Sequence, residues 1–147
     1  MRVLGIDIGV RSIHVAAPKS AISLSVERTH RGDEIRNLML QYEAYFGGNK
    51  KTVVFCEEPL VAGRRNLRTA LQMAQVVGAV MLAHPTYLVP VATWKKEVVG
   101  KGNASKEEVH EFLKDKPGYY YTEGSQDLVD ATCIRMYGLM QLEKTKT

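Results

Sequence analysis

Long apolar runs, cysteine and histidine are all scarce in this chain of 147 residues. No run approaches the ~20 apolar residues that a transmembrane helix needs. Because a carboxylate interrupts the apolar start of the chain at Asp7, we expect no signal peptide. The two cysteines, Cys56 and Cys133, each lie in an apolar stretch, which is typical of reduced core thiols in a cytoplasmic protein. They are too few for a four-cysteine zinc site, and the four histidines show no metal-ligand spacing.

Basic residues outnumber acidic ones only slightly. Twenty Lys and Arg against sixteen Asp and Glu give a formal net charge of +4. Two clusters of basic residues have few acidic residues around them. One cluster consists of Arg64, Arg65 and Arg68, and the other of Lys95, Lys96, Lys101 and Lys106. This distribution fits a solvated surface with a small cationic excess, and it also fits a surface that binds a polyanion.

Hydrophobic periodicity predicts a single α/β domain over residues 1–147. Strands are predicted over 2–8, 11–17, 20–27, 52–56 and 87–89. Helices are predicted over 35–46, 65–83, 94–98, 105–114 and 125–142. This order indicates a mixed five-stranded sheet with three antiparallel strands and then two parallel ones. In the helix over 65–83, the residues expected to face the core are Leu67, Leu71, Ala74, Val77, Gly78 and Met81.

Acidic residues interrupt or end the most apolar elements. Asp7 lies inside the first strand, where an unpaired charge is costly. Glu57 and Glu58 follow the strand over 52–56. Asp127 and Asp130 are three residues apart in the last helix and therefore share a face. If that face packs beside the strand ends, the acids converge, and like charges at close range need a cation. Oxygen ligands without His or Cys favour Mg²⁺ or Mn²⁺.

Each of these acids also has an ordinary structural interpretation. Asp7 could cap a turn, Glu57 and Glu58 could simply be exposed after a strand, and acids at the start of a helix are favoured by its macrodipole. The ordinary interpretations explain the acids less well together than singly, because three separate segments each place an acid beside an apolar element.

Four segments occur in an order and spacing that resemble one known family. They are Gly5-Ile6-Asp7-Ile8-Gly9, Cys56-Glu57, the lysine-bearing stretch 94–106, and Asp127-Leu128-Val129-Asp130-Ala131. The first motif alone is weak, but the four together span nearly the whole chain. They are similar to those of the RuvC family of Holliday-junction resolvases, which belongs to the RNase H-like superfamily.

The resemblance implies an RNase H-like fold and a metal-dependent nuclease in the cytoplasm of a bacterial cell. The family resolves Holliday junctions by paired phosphodiester hydrolysis, which leaves 5′ phosphates and 3′ hydroxyls, and this implies a homodimer. Carried over by position, the metal-binding acids are Asp7, Glu57, Asp127 and Asp130, with two Mg²⁺ ions per site and Mn²⁺ as a substitute. Glu57 is preferred to Glu58 because it directly follows the apolar strand. The lysines that contact DNA phosphates fall on Lys101 and Lys106, with Lys95 and Lys96 as further candidates.

The chain also departs from the family pattern. Leu60 stands where the family often has an aromatic residue at the junction crossover. The loop after Leu60 is longer than the corresponding loop of the family. It carries Arg64 and Arg65, which are further candidate DNA contacts. The short chain fits phage-encoded members.

Other functions share some of these features. An RNase H-type or flap nuclease with little four-way-junction selectivity is the main alternative. An actin-like or Hsp70-like nucleotide-binding protein shares the Gly-x-Asp-x-Gly start but needs a far longer chain. A non-catalytic junction-binding module would not need all four acids.

Overall fold

A mixed five-stranded sheet forms the centre of the fold. The computed structural model describes residues 1–25, 51–60 and 67–146, and the helix predicted over 35–46 lies outside them. The strands are β1 (Arg2–Ile8), β2 (Ser12–Ala17), β3 (Ser20–Ser25), β4 (Thr52–Glu57) and β5 (Thr86–Val89). Each follows its predicted range closely, and Glu57 proves to be the last residue of a strand.

The strands lie in the order β3-β2-β1-β4-β5. β1 pairs antiparallel with β2, and β2 with β3, so the first three strands form a meander. β4 lies parallel to β1 on its other side, and β5 lies parallel to β4. The predicted arrangement of three antiparallel strands and two parallel additions is therefore confirmed.

Four α-helices lie in the described part of the chain. They are α1 (Leu67–Ala83), α2 (Val91–Trp94), α3 (Lys106–Lys114) and α4 (Gln126–Lys144). α2 runs directly into a π-helical turn, Lys95–Val99, where the sequence predicts an ordinary short helix. α3 begins with the expected capping box, in which Ser105 and Glu108 each accept a hydrogen bond from the other's backbone N–H. None of the helices described is long and apolar enough to cross a membrane.

The sheet separates two apolar layers, because successive side chains of a strand point to opposite faces. On one face, Leu4 and Ile6 of β1 pack in a cluster with valines of α1 such as Val76. On the other face, Val3 of β1 and Phe55 of β4 pack in a cluster with residues of α3 and α4. Odd-numbered positions of β1 therefore face α4, and Asp7 is one of them.

The prediction of which α1 residues face the core is wrong except at Val77. Leu67, Leu71 and Met81 are 51%, 58% and 51% exposed, and Ala74 and Gly78 are exposed as well. The residues of α1 that are buried are Ala70, Val76, Val77, Ala79 and Val80. Because apolar residues occur on more than one side of this helix, its periodicity does not determine which side packs on the sheet.

The two cysteines are free and buried, one on each side of the sheet. Burial raises the pKa of Cys133 to about 12 and raises the pKa of Cys56 as well. Burial thus favours the protonated thiols, and both cysteines lie unpaired in the core, as the sequence predicts.

Candidate metal centre

Two carboxylates lie side by side at one end of the sheet. Ile6 of β1 is paired in register with Cys56 of β4. The next residues along these parallel strands are Asp7 and Glu57, so they reach the same edge of the sheet together. Both lie two positions after residues that face α4, and their carboxyl groups therefore belong to the α4 side.

Close packing of α4 on β1 brings two further acids to this end. A Cβ at Gly5 would lie 2.1 Å from the carbonyl oxygen of Ala131 and 2.3 Å from the backbone nitrogen of Arg135, so only glycine fits between strand and helix. The Arg135 side chain holds the contact by donating from Nε to the carbonyl oxygen of Val3 at 2.9 Å. The first turns of α4 carry Asp127 and Asp130.

The four carboxylates share one electrostatic environment. The pKa of Asp7 is raised to about 8, first by burial and then by the negative charges of Glu57, Asp130 and Asp127. Asp7 therefore binds a proton near neutral pH when no cation compensates the acids around it. An acid cluster of this kind favours a divalent cation over four free carboxylates.

Glu57 and Glu58 differ sharply in their surroundings. Oε2 of Glu57 accepts a hydrogen bond from Nε1 of the buried Trp94 at 2.9 Å. Burial raises the pKa of Glu57, and the Trp94 hydrogen bond opposes this effect. Glu58 is exposed, and its backbone N–H donates to the carbonyl oxygen of Val89 at 2.9 Å. The charge of Glu57 contributes to the raised pKa of Asp7.

The two acids of α4 are also held differently. Oδ1 of Asp130 accepts a hydrogen bond from Nε2 of Gln126 at 2.7 Å. Burial raises the pKa of Asp130, while the Gln126 hydrogen bond and the charges of Lys95 and His110 oppose this effect. The side chain of Asp127 is 58% exposed, and its Oδ2 lies 3.4 Å from Nε2 of His14.

His14 is a residue of this site that the sequence did not predict. It is paired with Asp7 across β1 and β2, and it is buried. Its Nε2 lies 2.8 Å from Oγ of Ser12, and its Nδ1 lies 2.9 Å from Oγ of Ser23. Burial lowers the pKa of His14, although the charge of Asp127 opposes this, and burial therefore favours the neutral ring. The tight β1–β2 turn was the available signal, because it sets residue 14 opposite residue 7.

The donor set suits a hard divalent cation, although the side chains do not form a finished cage. Within the three described ranges, no group of three or more His, Cys, Asp or Glu side chains is arranged so that it could hold a metal ion. The oxygen donors of Asp7, Glu57, Asp127 and Asp130 are nevertheless of the kind that Mg²⁺ and Mn²⁺ prefer. Burial is the first cause of the raised pKa of Asp7, and the charges of Glu57, Asp130 and Asp127 raise it further, an effect that a cation would relieve.

The candidate DNA-binding lysines occupy two different positions. Lys95 is half-buried, donates from Nζ to the carbonyl oxygen of Ala104 at 2.8 Å, and its charge lowers the pKa of Asp130. Lys95 is thus part of the acid site, whereas Lys96 and Lys106 are exposed. Lys101 is also exposed, and its Nζ lies 2.8 Å from Oε1 of Glu108.

Three further candidate contacts follow β4. The Leu60 side chain is 66% exposed, which leaves it accessible to a large partner. Arg64 and Arg65 lie outside the residues that the structure describes.

Comparison with solved structures identifies the fold. The structure of RuvC from Thermus thermophilus matches with a TM-score of 0.77 and 20% identity, over 99% of this chain and 97% of that one. T. thermophilus RuvC in complex with a Holliday junction substrate matches with a TM-score of 0.75 and 22% identity, over 96% of each chain. No protein-family model and no curated protein matches the sequence. The chain therefore has the RNase H-like α/β fold of RuvC, as its motifs predict.

Proposed function

We propose that this chain is a divalent-metal-dependent endonuclease that resolves Holliday junctions and also cuts other branched DNA. The observation that carries the proposal is the group of acids at the ends of β1 and β4 and the start of α4. A likeness in fold to a RuvC bound to a Holliday junction supports the choice of substrate. The products are a 5′ phosphate and a 3′ hydroxyl at each cut.

Asp7, Glu57, Asp127 and Asp130 would hold two Mg²⁺ ions, for which Mn²⁺ can substitute. When bound, such ions activate water at neutral pH and stabilise charge on the scissile phosphate and the leaving oxygen. The protein's own contribution is to hold the acids. Gln126 and Trp94 each donate a hydrogen bond to one of them, and the charge of Lys95 offsets part of their repulsion.

The surface around the acids suits a polyanionic substrate. Without the four candidate ligands, twelve acids remain against twenty bases, a net charge of +8. Lys96, Lys101 and Lys106 are exposed on the segments that follow α2. We infer that these lysines contact the phosphates of the DNA arms, and that Arg64 and Arg65 extend the contact.

Leu60 favours cleavage of several branched substrates over strict selectivity for four-way junctions. It is exposed and can fill space at a crossover, but it has no aromatic face. Base stacking on an aromatic side chain is worth about 1–3 kcal/mol per base. Without it, this chain should discriminate four-way junctions from three-way junctions and flaps only weakly.

The exposed apolar face of α1 fits a second copy of this chain. Its residues recur in alternating steps of four and three, as in a heptad seam: Leu67, Leu71, Ala74, Gly78 and Met81. Such a seam packs best against another helix of the same kind. A Cβ at Gly78 would meet nothing within 4 Å, so the partner helix can approach closely there. We infer a homodimer in which the two α1 helices pair, which supplies two sites for two cuts.

A cleavage assay on matched substrates tests the proposal. A four-way junction, a three-way junction, a flap and a DNA–RNA hybrid of the same sequence are incubated with Mg²⁺, with EDTA as the metal-free control. We expect cleavage of the first three, none in EDTA, and none by the Asp7→Asn variant. Cleavage of the hybrid alone would favour the RNase H-type alternative, and cleavage of the flap alone would favour a flap nuclease.

A further inference from the structure

Trp94 is the single tryptophan of the chain and is completely buried. It ends α2 and belongs to the apolar cluster between the sheet and α4. Its indole N–H has a hydrogen-bond partner, because it donates to Oε2 of Glu57 at 2.9 Å. A core residue thus carries a polar contact directly to a candidate metal ligand.

This contact has a physical role beyond packing. A buried carboxylate keeps its charge more easily when a donor satisfies one of its oxygens, and a hydrogen bond to a charged group is a strong one. It also restricts the carboxylate, because Oε2 is committed to the indole. In the described residues, the structure gives Oε1 of Glu57 no hydrogen-bond donor. The two oxygens are therefore not equivalent.

We propose that Trp94 is a positioning residue, which holds the Glu57 carboxylate through Oε2 and leaves Oε1 as the oxygen for a cation. The inference rests on the proposed function in that it takes Glu57 to be a metal ligand. A partner that orients a metal ligand is typically worth about 10–100-fold in metal affinity.

Replacing one atom of the indole separates positioning from packing. Because Trp94 is the only tryptophan, an analogue with sulfur in place of the indole N–H, benzothienylalanine, changes a single site and keeps the side chain's shape. Binding of Mn²⁺ alone is measured by electron paramagnetic resonance without DNA. We expect the analogue protein to bind Mn²⁺ at least about tenfold more weakly than the wild type.

A packing control uses Leu113, which is completely buried in the same cluster. Leu113→Ala removes core volume but leaves the Trp94–Glu57 hydrogen bond in place, so its Mn²⁺ affinity should stay within about twofold of the wild type. Equal Mn²⁺ affinity of the analogue and the wild type would overturn the inference. An equal loss of affinity in the analogue and in Leu113→Ala would also overturn it.

A second measurement does not depend on the analogue. Uniformly ¹⁵N-labelled protein gives one indole resonance, which should shift on addition of Mg²⁺ and in Glu57→Gln, and should stay in place in Glu58→Gln. An indole resonance that Glu57→Gln leaves unmoved would refute the hydrogen bond. If the wild type cleaves no branched DNA but the analogue still weakens Mn²⁺ binding, the proposed function fails while the role of Trp94 stands.

Discussion

Consecutive residues at the end of a strand can place the same kind of side chain in different environments, as Glu57 and Glu58 do. We predict that Glu57→Gln slows cleavage of a four-way junction by at least ~100-fold, because it removes one charged metal ligand. Glu58→Gln should stay within about threefold of the wild type, since its side chain is exposed and outside the acid group. Single-turnover rates with Mg²⁺ measure both, and junction binding in EDTA serves as the folding control.

Other results for the Glu57→Gln and Glu58→Gln variants would contradict the prediction in two different ways. If Glu58→Gln is inactive and Glu57→Gln is not, the assignment within the pair is reversed. If both variants cleave normally, the acids at the strand ends do not form the metal site.

The buried carboxyl group of Asp7 makes the stability of the metal-free protein depend on pH. Its folded-state pKa is about 8 against an ordinary value of 3.8, so the folded protein holds this proton more tightly than the unfolded chain. The stability of the metal-free protein should therefore fall as pH rises from about 4 to about 8, where the folded protein must give up that proton.

We predict that Asp7→Asn raises the melting temperature of the metal-free protein at pH 8. The gain should be on the order of 2–5 kcal/mol, or at least about 4 °C. At about pH 3, below the ordinary value of 3.8, the two proteins should melt together, because the wild-type carboxyl is then mostly protonated in both states. Thermal unfolding in EDTA at several pH values measures this difference. A variant that is less stable than the wild type at pH 8 would show that Asp7 is not electrostatically strained.

At the scale of elements, the packing of α4 on β1 decides whether the acids meet. We predict that Gly5→Ala lowers stability by about 1–3 kcal/mol, because the new Cβ overlaps the backbone of Ala131 and forces the helix away. Cleavage should fall by at least ~100-fold under conditions where the variant is still folded, since Asp127 and Asp130 move with α4.

Gly124→Ala is the matched control. It lies just before α4, and its added Cβ would meet only Oγ1 of Thr122 at 3.8 Å, so the protein should remain as stable as the wild type. Full cleavage by folded Gly5→Ala would mean that the distance between α4 and β1 does not control the site.

Contacts at the start of α3 determine how strongly Lys101 and Lys106 can bind phosphate. Glu108 closes the capping box through Oε2 and pairs with Lys101 through Oε1, so part of the Lys101 charge is already neutralised. We predict that Lys106→Ala flattens the slope of log K against log salt by about 0.9 on duplex arms, and that Lys101→Ala flattens it less.

Glu108→Gln should increase affinity for DNA, because glutamine still completes the capping box but releases the Lys101 charge. Titrations at several salt concentrations in EDTA measure all three variants. Unchanged slopes in both lysine variants would move the contact surface to Arg64, Arg65 and Arg68.

Predictability from sequence also differs between elements. Within the described residues, the strands and α-helices lie close to the ranges that periodicity predicts, and the connections predict which strands are antiparallel and which parallel. The buried face of α1 did not follow from periodicity, because the apolar residues that pack on the sheet and those left exposed have similar hydrophobicity. The partners His14 and Trp94 are a different case. The turn between β1 and β2 offers a signal for His14, which it sets opposite Asp7, whereas Trp94 meets Glu57 through a tertiary contact that no local spacing encodes.

At the scale of the whole molecule, the described residues of one chain carry one group of acids, whereas resolving a symmetric junction takes two cuts. On the proposed function, two chains in a fixed relation make the two cuts, and we propose that the seam on α1 joins them. Because the seam lies on the opposite face of the sheet from the acids, pairing through α1 leaves both sites accessible to DNA.

We predict that Leu71→Glu converts the dimer to monomers, since each copy would bury an unpaired carboxylate in the seam. Such burial costs at least ~3 kcal/mol, which weakens dimerisation by at least about 100-fold. Light scattering without DNA measures the mass, and Lys114→Gln in α3 is a control with the same change in net charge. On a supercoiled plasmid with an extruded cruciform, the wild type should produce linear DNA by two cuts within one binding event. Leu71→Glu should instead accumulate nicked circles while binding Mn²⁺ normally. A variant that stays dimeric would place the interface elsewhere, and a monomeric variant that still linearises the plasmid would show that paired cutting needs no dimer.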